Sequence, residues 1–182
     1  MSELEALPPR EMRRRLAGID RNRPGQRPKT LKAVFQKTRD GRVREAAWVY
    51  LRGSLSVFTD QEILSIARNE SSSAIRALAM NQIVDRHLWD GIPVLIDGMR
   101  DPQPGVRKYA DQMFEKLFGI KTDYEYNSTV EDRQAQIRKI EQVYPQYRKT
   151  FEQFGRFKKT ERKAMEKMLK KKADESTESA QP

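Results

Sequence analysis

A nine-residue pattern recurs three times in this chain, as VREAAWVYL from Val43, IRALAMNQI from Ile75 and VRKYADQMF from Val106. Each copy opens on an aliphatic residue and an arginine, carries alanine at its fifth position (Ala47, Ala79, Ala110) and closes on a large apolar residue (Leu51, Ile83, Phe114). The intervals of 32 and 31 residues fall where self-similarity signals stacked repeats. Upstream of each copy, apolar residues at offsets 0, 3 and 4 (Leu31/Val34/Phe35, Ile63/Ile66/Ala67, Ile92/Leu95/Ile96) trace one face of a helix. Turn formers separate the two patterns in each unit: Asp40-Gly41, Asn69 to Ser73, and Asp101 to Gly105. Each unit is therefore predicted to be a helical hairpin. One hairpin cannot bury both of its apolar faces, so neighbours must stack, and about three are needed for stability. The alanines allow close helix approach. Helix ends are predicted at Thr59 with Glu62 as a capping box, at Ser73 and Asp90 as acceptors for free N–H groups, and at Gly53 and Gly119 as terminators.

The set Asp40, Val43, Arg44, Ala47 and Leu51 returns as Ile75, Arg76, Ala79 and Ile83, and again as Asp101, Val106, Arg107, Ala110 and Phe114. Over about Lys29 to Gly119 it resembles the HEAT-repeat family, in the short bacterial form related to phycobilisome-lyase-type repeats. The middle copy departs from that pattern, with Asn69 and Glu70 where the turn aspartate would stand. The resemblance implies antiparallel helix pairs stacked into an α-solenoid whose second helices line the inner surface. Arg44, Arg76 and Arg107 fall in the first turn of their helices, where the macrodipole disfavours a cation, so each requires a carboxylate nearby. An inter-repeat bridge is favoured over a row of anion-binding guanidiniums.

The formal net charge of +10 is unevenly placed. Residues 1–30 hold 8 Lys/Arg against 4 Asp/Glu and residues 147–182 hold 11 against 6, so the middle of the chain is close to neutral. Residues 1–28, rich in Pro and Arg, are expected to form a mostly disordered basic arm in which Met12 and Leu16 could share one short helical face. Residues 29–145 are expected to form the solenoid, closed by a capping helix with Ser128 and Glu131 as a capping box and Val130, Ile137, Ile140 and Val143 as its apolar face. Residues 146–173 read as an aromatic and Lys/Arg-rich helical extension, and 174–182 as a disordered tail. The fold class predicted is all-α: a short α-solenoid of three HEAT-like hairpins, a capping helix and a basic C-terminal helix.

No cysteine is present, which excludes a disulfide framework and Cys-based metal sites. No phosphate-binding glycine loop, serine-hydrolase elbow, HExxH or dinucleotide fingerprint occurs. The lone histidine, His87, is placed at a helix end, where a structural role outweighs a catalytic one. No enzyme activity, metal or cofactor is expected. No apolar run of about 18 residues spans a bilayer and no signal segment opens the chain, so an integral membrane protein is not expected and a cytoplasmic location is.

Binding is the remaining class. On the predicted inner surface Trp48, Arg52, Met80, Asn81 and Gln112 are candidates for docking a protein partner, with Trp48 and Met80 as apolar anchors. The mixed charges there disfavour phosphate tracking. Tyr147, Phe151 and Phe154, flanked by Tyr144 and Phe157, form a stripe that fits packing on the solenoid end better than base stacking. The alternative partner is nucleic acid or the ribosome, held by the basic helix through Arg156, Lys158, Lys159, Arg162, Lys163, Lys167, Lys170, Lys171 and Lys172.

Overall fold

The computed structural model describes residues 2–149, 152, 163–165 and 167–168, and no strand occurs among them. The helices are α1 (Ser2–Ala6), α2 (Pro9–Gly18), α3 (Arg27–Lys37), α4 (Gly41–Leu51), α5 (Asp60–Asn69), α6 (Ser73–Asp85), α7 (Ile92–Gly98), α8 (Pro104–Phe118) and α9 (Val130–Val143). The fold is all-α.

The two periodic patterns become the two helices of each hairpin, α3/α4, α5/α6 and α7/α8, whose members are in contact. Val43, Ala47 and Leu51 are buried, as are Ile75, Ala79 and Ile83, and Val106, Ala110 and Phe114. Successive hairpins also touch, through α5 with α7 and α6 with α8. The close approach is set by glycine: a Cβ on Gly98 of α7 would lie 2.8 Å from the Ala110 Cβ and 2.6 Å from the Met80 Cε.

The helix starts show local chemistry at work, shifted by a residue in places. Thr59 and Glu62 form the expected capping box of α5. Ser72, rather than Ser73, caps α6 by accepting from the Ile75 N–H, and Thr129, rather than Ser128, caps α9 through Asp132 N–H. Asp90 falls inside a 3₁₀ turn, Trp89–Gly91, and caps nothing. Gly119 ends α8 in the left-handed region at φ 65°, as its lack of a Cβ permits. Gly53 ends no helix, because α4 passes directly into a 3₁₀ segment at Arg52–Val57. At the close of α6 the left-handed position belongs to His87, at φ 52°. There the Leu88 N–H donates to the Ile83 carbonyl and the His87 N–H to Val84, the hydrogen-bond pair of a Schellman end.

The start of the chain corrects the expectation of a mostly disordered arm. Residues 2–18 form α1 and α2, and α2 packs on α4. Met12 and Leu16, one turn apart, are 3% and 0% exposed. Composition misleads here because Pro9 and Pro28 stand in the first turns of α2 and α3, where the missing N–H costs nothing. A ten-residue helix is marginal alone, so its docked apolar pair holds it. Glu5 ties α1 down as well, accepting from Thr38 Oγ1 at 2.7 Å.

After α8, the Tyr124 hydroxyl donates to the Met99 carbonyl and anchors the connection. The helix α9 then buries Ile137, Ile140 and Val143, while Val130 in its first turn is 56% exposed and leaves the expected face. Arg100, just beyond α7, bonds Gln134 and Glu141 of α9.

Candidate functional site

The arginine of each repeat is held inside the fold. Arg44 donates to the carbonyls of Phe35 (2.8 Å) and Thr38 (3.2 Å) in its own hairpin and makes a two-nitrogen contact with Glu70 of the next. Arg76 repeats the arrangement, with the Glu70 and Ser71 carbonyls at 2.7 and 3.0 Å and Asp101 at 2.7 Å. Arg107 bonds the Asp101 and Pro102 carbonyls, both at 2.9 Å, and then reaches the Tyr126 carbonyl at 2.8 Å in place of a carboxylate from another hairpin. Glu70 thus takes the part of the turn aspartate despite the departure of the middle copy. Burial alone would raise the Glu70 pKa, but the hydrogen bonds and charge of Arg44 outweigh it and hold the carboxyl below its ordinary value. A chain of cations at this spacing is therefore a clamp between hairpins, and its guanidiniums are not free for a ligand.

Two of the five protein-docking candidates are corrected by the structure. Trp48 and Met80 are each 1% exposed. Trp48 lies between Phe35 and Phe58, with ring centroids 5.2 and 5.5 Å away, and Met80 packs on Gly98. The physical reason is that a helix enclosed both by its own partner and by a neighbouring hairpin needs a wider apolar arc than the single repeated stripe suggests. Arg52 and Gln112 are exposed and Asn81 is half-buried. Beside them Val49 of α4 is 51% exposed.

Of the cations assigned to the basic helix, Lys163 and Lys167 are exposed, whereas Arg156, Lys158, Lys159, Arg162, Lys170, Lys171 and Lys172 lie outside the described residues. Met165 is buried, and the Tyr147 hydroxyl sits 3.6 Å from the Met168 sulfur. Tyr144 and Tyr147 are half-buried, and Tyr144 packs against Trp89 at 5.8 Å. Phe151, Phe154, Phe157 and the tail 174–182 fall outside the described residues.

An acidic pair lies on α8. Asp111 accepts from Thr122 Oγ1 at 2.6 Å, and Glu115 accepts from the Thr122 N–H at 2.8 Å and from Lys121 at 2.6 Å. Burial, with a contribution from the Glu115 charge, raises the Asp111 pKa to about 6 against the Thr122 hydrogen bond and the Lys121 charge. Its contacts fasten the 120–124 connection to α8. Among the described residues no group of three or more His, Cys, Asp or Glu side chains could hold a metal ion. His87 is exposed and belongs to the end of α6.

One surface was missed from the sequence. Between α2 and α4 runs a groove of about 490 Å³ lined by Arg13, Arg42, Glu45, Val49 and Tyr50 among others. A second concavity of about 600 Å³, lined by Arg10, Glu11, Arg13, Arg14 and Tyr50, shares Arg13 and Tyr50 with it. The available signal was the Met12/Leu16 pair one turn apart inside an arginine run, which fixes which face of α2 turns outward.

No helix among the described residues is long and apolar enough to cross a membrane. No protein-family model, curated protein or solved structure matches the chain.

Proposed function

We propose that this protein is a non-catalytic binding module, a short HEAT-like α-solenoid of three hairpins and a capping helix, that serves as a scaffold or adaptor for a protein partner in the cytoplasm. The observation that carries the reading is the fate of the repeat arginines. Arg44 and Arg76 are consumed in joining one hairpin to the next, and Arg107 in holding its own turn and the Tyr126 carbonyl, as a structural array requires and a substrate site does not. The candidates left accessible on or next to the second helices, Arg52, Asn81 and Gln112, together with exposed Asp85, Lys108 and Lys116, offer a surface of mixed charge and amides. That mixture suits a protein surface better than a phosphate chain.

The test places a photocrosslinking side chain at position 81 or 112, with position 37 on the outer end of α3 as control, followed by nuclease treatment. Nuclease-resistant protein adducts of one molecular mass at 81 and 112 but not at 37 are expected. Adducts equal at all three positions, or none, overturn the reading. A second reading is nucleic-acid or ribosome binding through the basic C-terminal helix, favoured by the burial of Met165, which leaves Lys163 and Lys167 facing water. It predicts nuclease-sensitive recovery that disappears when the chain is truncated before Arg156.

A further inference from the structure

We propose that the N-terminal face centred on Tyr50, built from Arg10, Arg13 and Arg14 of α2, Arg27 of α3 and Arg42 of α4, binds the phosphate backbone of a nucleic acid. The face is separate from Arg52, Asn81 and Gln112 and independent of the adaptor reading.

The docking of α2 creates it. With Met12 and Leu16 buried against α4, the helical period turns Arg10, Arg13 and Arg14 to water, and all three are exposed. Arg13 and Tyr50 line both concavities, so the two form one continuous trough with cations on each side. Arg27 stands 5.9 Å over the Tyr50 ring, while the Tyr50 hydroxyl donates to the Arg13 carbonyl and fixes the ring. Two carboxylates share the lining, Glu11 and Glu45, and Arg42 is already paired with Asp40 at 2.7 Å, so the uncommitted cations of the face are Arg10, Arg13 and Arg14.

Among the described residues the side chains of Arg10, Arg13 and Arg14 have no hydrogen bond or ion pair, in contrast to Arg44, Arg76, Arg86 and Arg107. Arg10 stands in the first turn of α2, the end where a cation is disfavoured, and it repels Arg13 and Arg14 three and four residues on. A cluster that weakens its own helix and fills no internal need points outward to an anion.

The kind of anion follows from the side chains. Several guanidiniums along one trough match a chain of regularly spaced charges rather than one carboxylate, and their planar forks suit phosphate oxygens. A lipid surface fits less well, because the large apolar side chains of α2 point inward and none is left to enter a bilayer. Arg27 stands over one face of the half-buried Tyr50 ring, so no base stacking is expected and the binding should be indifferent to sequence.

The experiment uses the full chain and fluorescence anisotropy with labelled 20-nucleotide single-stranded RNA, single-stranded DNA and duplex DNA at several salt concentrations. Three proteins are compared: the parent, Arg10→Ala/Arg13→Ala/Arg14→Ala, and Lys163→Ala/Lys167→Ala. The parent should bind, and the arginine triple variant should bind at least about 10-fold more weakly at 0.1 M salt. Its log–log salt slope should be shallower by about 2 on single strands and about 3 on duplex, from roughly 0.7 and 0.9 counterions per lost contact. Replacement of the same three positions by lysine should restore the slope. Circular dichroism melting should show the triple variant at least as stable as the parent. An unchanged slope in that variant, loss confined to the lysine pair, or equal competition by polyglutamate or by phosphatidylserine vesicles overturns the proposal in favour of the tail, an acidic protein or a membrane respectively.

Discussion

Removing the carboxylate of Glu70 tests whether the arginine series holds the hairpins together. The Glu70 side chain is 4% exposed and that of Arg44 21%. Glu70 also accepts from the Ser71 N–H at 3.1 Å and its hydroxyl at 3.2 Å. Loss of one member of a buried ion pair costs about 3–5 kcal/mol. Arg44 here keeps the Phe35 and Thr38 carbonyls and some water, so Glu70→Ala is expected to cost about 2–3 kcal/mol, near the range for hydrogen bonds to charged groups. In a double-mutant cycle with Arg44→Ala the coupling should be about 1.5–3 kcal/mol. The same cycle on Arg15 and Glu3, 52% and 84% exposed at 3.4 Å, should give about 0–0.5 kcal/mol. Urea denaturation at pH 7, followed by circular dichroism, measures both. Because the Glu70 pKa is lowered from 4.5, its contribution is complete above that value and is lost as pH falls through the lower folded-state pKa, so the coupling should shrink at pH 3. A pH 7 coupling for Arg44 and Glu70 no larger than that of the surface pair would refute the argument that this contact joins the units.

Other outcomes follow from packing and titration. Gly98→Ala should destabilise the protein by about 1–3 kcal/mol, since the Ala110 Cβ at 2.8 Å belongs to a packed helix and cannot swing aside; thermal melting reads it. Leu16→Ala should cost about 2–5 kcal/mol in the same unfolding transition, whereas an unpacked arm would register no change. His87→Gly should stabilise by about 1 kcal/mol by relieving a side chain at φ 52°. Asp111→Asn should raise stability at pH 7 by about 1–2 kcal/mol, a figure reduced for partial exposure. With the folded pKa raised from 3.8 to about 6, the penalty of the ionised carboxylate grows across that interval, so the two proteins should converge near pH 4 in urea titrations.

What the sequence revealed divides by the kind of constraint. Positions that pack against their own hairpin partner, such as Ala47, Ala79 and Ala110, carry a local period and were placed correctly. Positions that pack against a neighbouring hairpin or a connecting segment carry no local period, and Met80, against Gly98 of α7, and Trp48, between Phe35 of its own hairpin and Phe58 of the link that follows, were taken for an outer surface when they are interior. The caps of α5, α6 and α9 proved readable to within one residue, since Ser72 and Ser73, like Ser128 and Thr129, offer the same chemistry at adjacent positions, whereas Asp90 and Gly53 mark no helix end. The first 18 residues were judged by composition, which weighs every Pro and Arg alike. Two apolar residues one turn apart decided the outcome, and with it the arginine-lined concavities beside α2.

The last arginine of the series ends on the main-chain oxygen of Tyr126. Such an acceptor gains no proton in acid and survives any replacement of its own side chain, so evolution cannot edit it away one codon at a time. It also occupies the guanidinium with which an added hairpin would have to be joined. A hairpin added after α8 would therefore have to displace the Tyr126 contact before Arg107 could join it.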